Sequence, residues 1–316
     1  MGKASRTKVE STRREKIAAQ RAAERRAEQR RRIFMASGAV VVVLAIVLVF
    51  VVVKLNSKPS ASGDTASSGP TGSALTSLVN TVTSVPASTL NAVGNGGGSI
   101  TNVPIKISGT PLTANGKPEM LYMGAEYCPY CAAERWAMIV ALSRFGTFKG
   151  LATIHSAARD GAGSAEPFPN TPTFTFAHAT YTSPYLTFTP VELNTNIPDP
   201  SNGAYTTLQT PTAAQQALMT KWDNQPYIPS SEPAGSIPFI YFGGKSMIVG
   251  TSQSQNNALS GLDWNQIAAD LHNPNSDVAK AEDAEANYIT AAICQMTGNQ
   301  PATACTSTVQ ALESQL

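Results

Sequence analysis

The sequence predicts an α/β domain: a mixed sheet with flanking helices, an inserted β-rich segment and C-terminal helices, all preceded by one transmembrane helix. Three observations carry that expectation. Beyond residue 98, short apolar runs of strand length alternate with stretches of helical periodicity. Residues 33–53 are 21 residues without a charge. Charge is also segregated: residues 1–32 carry twelve Lys/Arg against four acids, a net +8 in a chain of net +2, which leaves −6 for the rest. At 316 residues and 42% hydrophobic, the chain holds one or two domains and is too apolar for disorder throughout.

The uncharged run comes first. A helix of 21 residues reaches about 31 Å, close to the thickness of bilayer hydrocarbon. A cleaved signal peptide would have an apolar region of only about 7–15 residues ending in small side chains. Ser60-Ala61-Ser62 lies well past the run and suits cleavage poorly. The reading is therefore an uncleaved anchor that touches lipid through a single span. Basic residues crowd its N-terminal side and only Lys54 and Lys58 follow it, so the N-terminus is expected in the cytoplasm and the remainder outside. The basic stretch is read as this topogenic signal rather than as a nucleic-acid arm, and no nucleic-acid partner is expected.

Between residues 56 and 98, 34 of 43 residues are Gly, Ser, Thr, Ala, Pro or Asn. Residues 54–73 read as a flexible linker and 74–316 as the outer domain. Leu75, Leu78, Val79 and Val82 recur at helical spacing, and residues 85–94 read as a short helix stopped by glycine. Residues 100–107 and 119–124 read as strands, and residues 129–145 as a helix with Trp136, Ile139 and Val140 on its apolar face. The strand at 151–156 is expected to lie parallel, completing a βαβ unit. The insertion spans about 160–210, with 173–178 and 185–193 expected to pair as a hairpin. Residues 212–222 read as helix. Residues 237–242 and 246–250, split by Gly243-Gly244, read as a hairpin. Residues 259–271 and 276–296 read as helices.

Four cysteines follow the span: Cys128, Cys131, Cys294 and Cys305. An even number outside the cell reads as disulfides. Cys294 and Cys305 flank a Gly/Pro turn after a long helix and are expected to close a structural bridge. Their spacing of eleven suits zinc poorly, and the three histidines are isolated, so no metal is expected. Cys128-Pro129-Tyr130-Cys131 sits where a strand hands over to a helix. Unpaired N–H groups and the helix dipole there favour a thiolate at Cys128, and Pro129 fits the first helical turn. Cysteines one turn apart close reversibly as a small ring, with Cys131 as resolving thiol. A permanent short-loop disulfide is the alternative that spacing leaves open. The glycine-rich stretch Gly94–Gly98 does not open a helix after a strand, so no phosphate-cradling loop and no organic cofactor are expected.

Strand, C-x-x-C, helix and strand, followed by helix, Pro-led hairpin and helix, resembles the thioredoxin-like superfamily. The stretch from Tyr122 to Trp136, with Arg144-Phe145-Gly146-Thr147-Phe148, Pro169-Asn170-Thr171-Pro172-Thr173-Phe174 and Tyr181-Thr182-Ser183-Pro184-Tyr185-Leu186, looks like the family known as domain of unknown function 929. The resemblance implies a thioredoxin-like fold with no established reaction. It implies that Cys128 is the nucleophile and that Pro238 borders it at the start of the hairpin, while Tyr130, inside the ring, tunes the thiolate. Expected partners are extracytoplasmic protein thiols or disulfides and a redox partner that recycles the cysteines. The chain departs from thioredoxins six positions before the first cysteine, where their buried acid is replaced by Tyr122. Glu126 is the nearest carboxylate and either relays protons or sits in a solvated loop. The function expected is that of a membrane-anchored thiol–disulfide oxidoreductase. The alternatives are a binding module with a static disulfide or a metal carrier.

Overall fold

The computed structural model describes residues 69–160, 163–230 and 232–316. The basic tail, the span and most of the linker, as read above, lie outside the described residues. No helix among the described residues is long and apolar enough to cross a membrane.

Two short helices open the domain, α1 (Gly72–Thr83) and α2 (Ala87–Val93). Helix α1 thus begins two residues before the expected start of the outer domain; Leu78 and Val82, expected on its apolar face, are buried, as is Leu90 of α2. Strands β1 (Ile105–Lys106), β2 (Thr113–Ala114) and β3 (Lys117–Gly124) follow, then α3 (Pro129–Ser143). Next come β4 (Thr147–Lys149), β5 (Ala152–His155), β6 (Pro172–Thr175), β7 (Thr180–Thr182), β8 (Thr187–Glu192), β9 (Asn194–Pro198) and β10 (Tyr205–Thr207). The chain closes with α4 (Ala213–Trp222), the hairpin β11 (Phe239–Phe242) and β12 (Ser246–Val249), α5 (Gln253–Leu259), α6 (Trp264–Asp270), a π-helical turn (Ala279–Asp283) running into α7 (Ala284–Thr297), and α8 (Ser307–Glu313).

The main sheet is mixed and six-stranded. Its order is β1-β12-β11-β3-β2, and β8 pairs with β3 in parallel. Side chains alternate across it, as the two-residue period demands. Met120, Tyr122, Ile240, Phe242 and Ile248 face the core shared with α3 and α7. Leu121, Met123, Phe239, Tyr241 and Met247 face a second core closed by Met219 and Trp222 of α4. Helix α3 was expected to be amphipathic and is instead buried all round, from Pro129 to Leu142 apart from Tyr130. It lies between β6, α1 and α7, so even Glu134 and Arg135 are out of water. Fully burying a side chain such as Met138 or Ile139 is worth about 1.5–3 kcal/mol, which makes this helix the anchor of the fold.

Several expectations fail where pairing is non-local. The strand at 151–156 does not complete a parallel unit; β5 pairs antiparallel with β6, away from the main sheet. The expected insertion hairpin does not form either. One of its arms is β6, and the other, β8, is the parallel neighbour of β3. The segment at 160–210 therefore supplies a strand of the main sheet as well as β7, which pairs with β4, and the β9–β10 ladder. Of the strand expected at 100–107, only Ile105 and Lys106 pair. Of the helix expected at 259–271 only α6 forms; α5 precedes it and ends at Leu259, and Gly261 takes φ +77° between them. The helix at 276–296 begins in π geometry and ends on Gly298 in the left-handed region. Helix α8 was not expected.

Candidate functional site

The site grows from the junction of β3 and α3. Pairing of Met123 and Gly124 with Val191 and Glu192 ends β3 just ahead of the turn that carries Cys128. Cys128 is the N-cap of α3, with extended backbone, and Pro129 occupies the first helical turn. The cap is made by sulfur: the Cys131 backbone N–H donates to Cys128 Sγ at 3.2 Å. Both thiols are free; Cys128 is 4% exposed and Cys131 fully buried.

Their electrostatics differ sharply. Burial pushes the Cys128 thiol up, but hydrogen bonds from the Cys131 side chain and backbone, the Arg135 charge and the Tyr130 N–H outweigh it, leaving Cys128 below the ordinary thiol range. Burial pushes Cys131 well up, and its hydrogen bond to Cys128 and the charge there add to the rise. One sulfur is set up to ionise and the other to keep its proton.

The hairpin approaches from the other side. Pro238 is buried, the Ile237–Pro238 peptide is cis, and the Ile237 carbonyl lies 3.8 Å from Cys128 Sγ as acceptor. The structure thus brings Pro238 to Cys128 across a separation that sequence order alone does not close. Tyr130 is half-buried and meets Phe168 edge-on at 6.1 Å. Tyr127 stacks on Tyr205 at 4.4 Å, and burial together with the charges of Cys128 and Cys131 pushes its hydroxyl to about 12. Glu126 is not in a solvated loop. It is fully buried and accepts a hydrogen bond from the Thr175 hydroxyl at 2.6 Å.

Two residues that sequence reading passed over are built into the site. Arg135, one turn beyond Cys131, makes a two-pronged pair with Glu192 at the end of β8: Nε to Oε1 at 2.9 Å and Nη2 to Oε2 at 2.7 Å. Nη2 also donates to the Ala125 carbonyl at 2.8 Å, which ties down the turn before Cys128. Burial opposes this charge, but Glu192 holds the guanidinium protonated. The one visible signal was a charged residue inside an otherwise apolar helix; nothing local marked Glu192 as its partner.

Cys294 and Cys305 are joined in a disulfide with a Cα–Cα separation of 5.8 Å, within the usual range. Arg144, at the end of α3, donates to the neighbouring Ala304 carbonyl at 2.8 Å, so this bridge braces the far end of the cysteine helix. No group of three or more His, Cys, Asp or Glu among the described residues is arranged to hold a metal ion.

A family model described as a domain of unknown function (DUF929) matches residues 103–295. That range includes Cys128, Cys131, Arg135, Glu192 and Pro238. No curated protein and no solved structure matches the chain. The match covers more than half of the sequence, and the chain belongs to the DUF929 family.

Proposed function

We propose that this protein is a membrane-anchored, extracytoplasmic thiol–disulfide oxidoreductase with a thioredoxin-like fold, acting through Cys128 and Cys131. The observation that carries the reading is the asymmetry of the two sulfurs: one caps a helix and is drawn toward the thiolate, the other is wholly buried behind it and keeps its proton. A parallel β3–β8 pair with the cysteine helix between them, and a hairpin led by Pro238 against Cys128, support the fold assignment. The basic tail and uncharged span support the anchor and its orientation. Partners are extracytoplasmic protein thiols or disulfides and a separate redox partner that restores the pair.

In the reductive direction the Cys128 thiolate attacks a substrate disulfide. A mixed disulfide forms and one substrate sulfur leaves as thiolate, taking a proton. Cys131 then attacks Cys128 Sγ, the Cys128–Cys131 bond forms, and the second substrate sulfur departs with the proton that Cys131 gives up. Cys131→Ser is expected to accumulate reductant-sensitive covalent adducts in cells, and Cys128→Ser none. Absence of adducts, together with no disulfide exchange by the unaltered protein, sinks the reading.

The near-complete burial of both sulfurs favours one rival, a binding module with a static Cys128–Cys131 bond. Titration against glutathione separates the two, because a structural bond has a potential below about −300 mV.

A further inference from the structure

Tyr122 lies on β3, two residues before Gly124, and both project to the same face of the sheet. Its side chain is fully buried, and its hydroxyl has no hydrogen-bond partner among the described residues. A buried phenol normally finds one, and a donor left over calls for an explanation. The surroundings supply it. The space that a Cβ on Gly124 would fill is taken by the Tyr122 hydroxyl, with Cys131 Sγ 3.1 Å from the same point. The phenol oxygen and the resolving sulfur therefore flank one glycine, and only a residue without a side chain admits both. The ring is fixed by Phe176, edge-on at 5.5 Å, and by the Arg135 guanidinium 5.9 Å from its centroid. Arg135 Nη1 is likewise buried and has no partner among the described residues. Two donors with nothing to donate to thus lie near a thiol that, while protonated, asks little of them.

We propose that the Tyr122 hydroxyl is the hydrogen-bond donor that receives Cys131 when it ionises, with Arg135 supplying the positive charge behind it. This rests on the reading of Cys131 as the resolving thiol. Resolution requires Cys131 to lose its proton before its sulfur can bond to Cys128 Sγ and release the substrate sulfur, which takes a proton. A donor unsatisfied in the resting state and satisfied only as the thiolate forms stabilises that step selectively. Burial raises the Tyr122 hydroxyl well above its ordinary value, and the charges of Cys131 and Cys128 add to the rise, so it stays protonated and acts as donor rather than base.

The test uses the full chain with Cys128→Ser, in which Cys131 is the one thiol outside the Cys294–Cys305 bridge. Its ionisation is followed by thiolate absorbance and by alkylation rate against pH, with and without Tyr122→Phe. The phenylalanine variant is expected to move the midpoint upward and to slow alkylation at a fixed pH below it by about threefold or more. Stability should hardly change, because the lost oxygen had no partner. Coincident pH profiles overturn the proposal. Should Tyr122→Phe unfold the chain, a mixed disulfide trapped on the otherwise unaltered protein is timed in Gly124→Ala, where the added methyl displaces the phenol; unchanged resolution would equally overturn it. A shifted midpoint in a protein without exchange activity would sink the oxidoreductase reading and leave the phenol–thiolate contact standing. Exchange activity with an unshifted midpoint would do the reverse.

Discussion

Glu134 and Arg135 leave the same helix one residue apart and are equally buried, yet they enter opposite surroundings. Arg135 meets Glu192, and two short hydrogen bonds hold the guanidinium charged next to the cysteines. Glu134 meets other acids. Glu282, Asp283 and Glu285, from the π-helical turn and the start of α7, are all at most 1% exposed. Gln255 bridges Glu134 and Glu282 at 3.4 Å to each, and six of the eight carboxylate oxygens have no partner among the described residues. Among the described residues, no cation is one of the main groups acting on any of the four. Burial raises all of them, Glu134 and Asp283 to about 8. One side of the helix is thus organised to hold charge, and the other holds protons. The first arrangement lies beside the cysteine pair; the second ties stability to pH.

The sharpest way to break the comparison is to remove one partner on the charged side. Glu192→Ala leaves a guanidinium buried and unpaired, and should cost about 3–5 kcal/mol in denaturant unfolding. Replacing Arg135 and Glu192 together by apolar residues should cost far less, because no uncompensated charge remains. Equal losses in the single and double variants would mean that packing rather than charge dominates.

Next is the bridge at the other end of α3. Cys305→Ala opens an eleven-residue separation and should cost about 3 kcal/mol in the chain-entropy estimate. Since the bridge lies away from the cysteine pair, the ionisation of Cys128 should not move.

The acid side makes a prediction of opposite sign to ordinary acid denaturation. Between about pH 4.5 and 8 the unfolded carboxylates are ionised while the folded ones keep their protons. The folded state binds more protons in that window, so stability falls as pH rises through it. The fall should level off only once the buried groups themselves ionise. Glu134→Gln needs no proton and should gain about 1–3 kcal/mol at pH 8 and little at pH 4. A midpoint of unfolding that does not respond to pH across the window, in either protein, would contradict the protonated cluster.

How much of this was legible in the sequence follows the range of the interaction responsible. Cys128-Pro129-Tyr130-Cys131 at a helix start is read locally, because the cap, the first-turn proline and the one-turn spacing are all within four residues. The hairpin turned by Gly243-Gly244 is likewise local, since both glycines adopt positive φ and the strands on either side are apolar. The short helix before Gly94 and the end of α7 at Gly298 are both stopped by glycines at positive φ.

What only the tertiary structure decided is which distant segments meet. An apolar run such as Thr187–Glu192 carries the same pattern whether it pairs with its neighbour in sequence or with β3. It pairs with β3 in parallel, and that pairing delivers Glu192 to Arg135. Burial of Glu134 depends on a turn nearly 150 residues later, and the orphan hydroxyl of Tyr122 depends on a sulfur that reaches Gly124 from the next helix. Local propensity writes the start of a helix or the tip of a hairpin. The state of a buried charge or proton is set by whatever the rest of the chain brings against it, because desolvation and Coulomb energy act through space and take no account of sequence order.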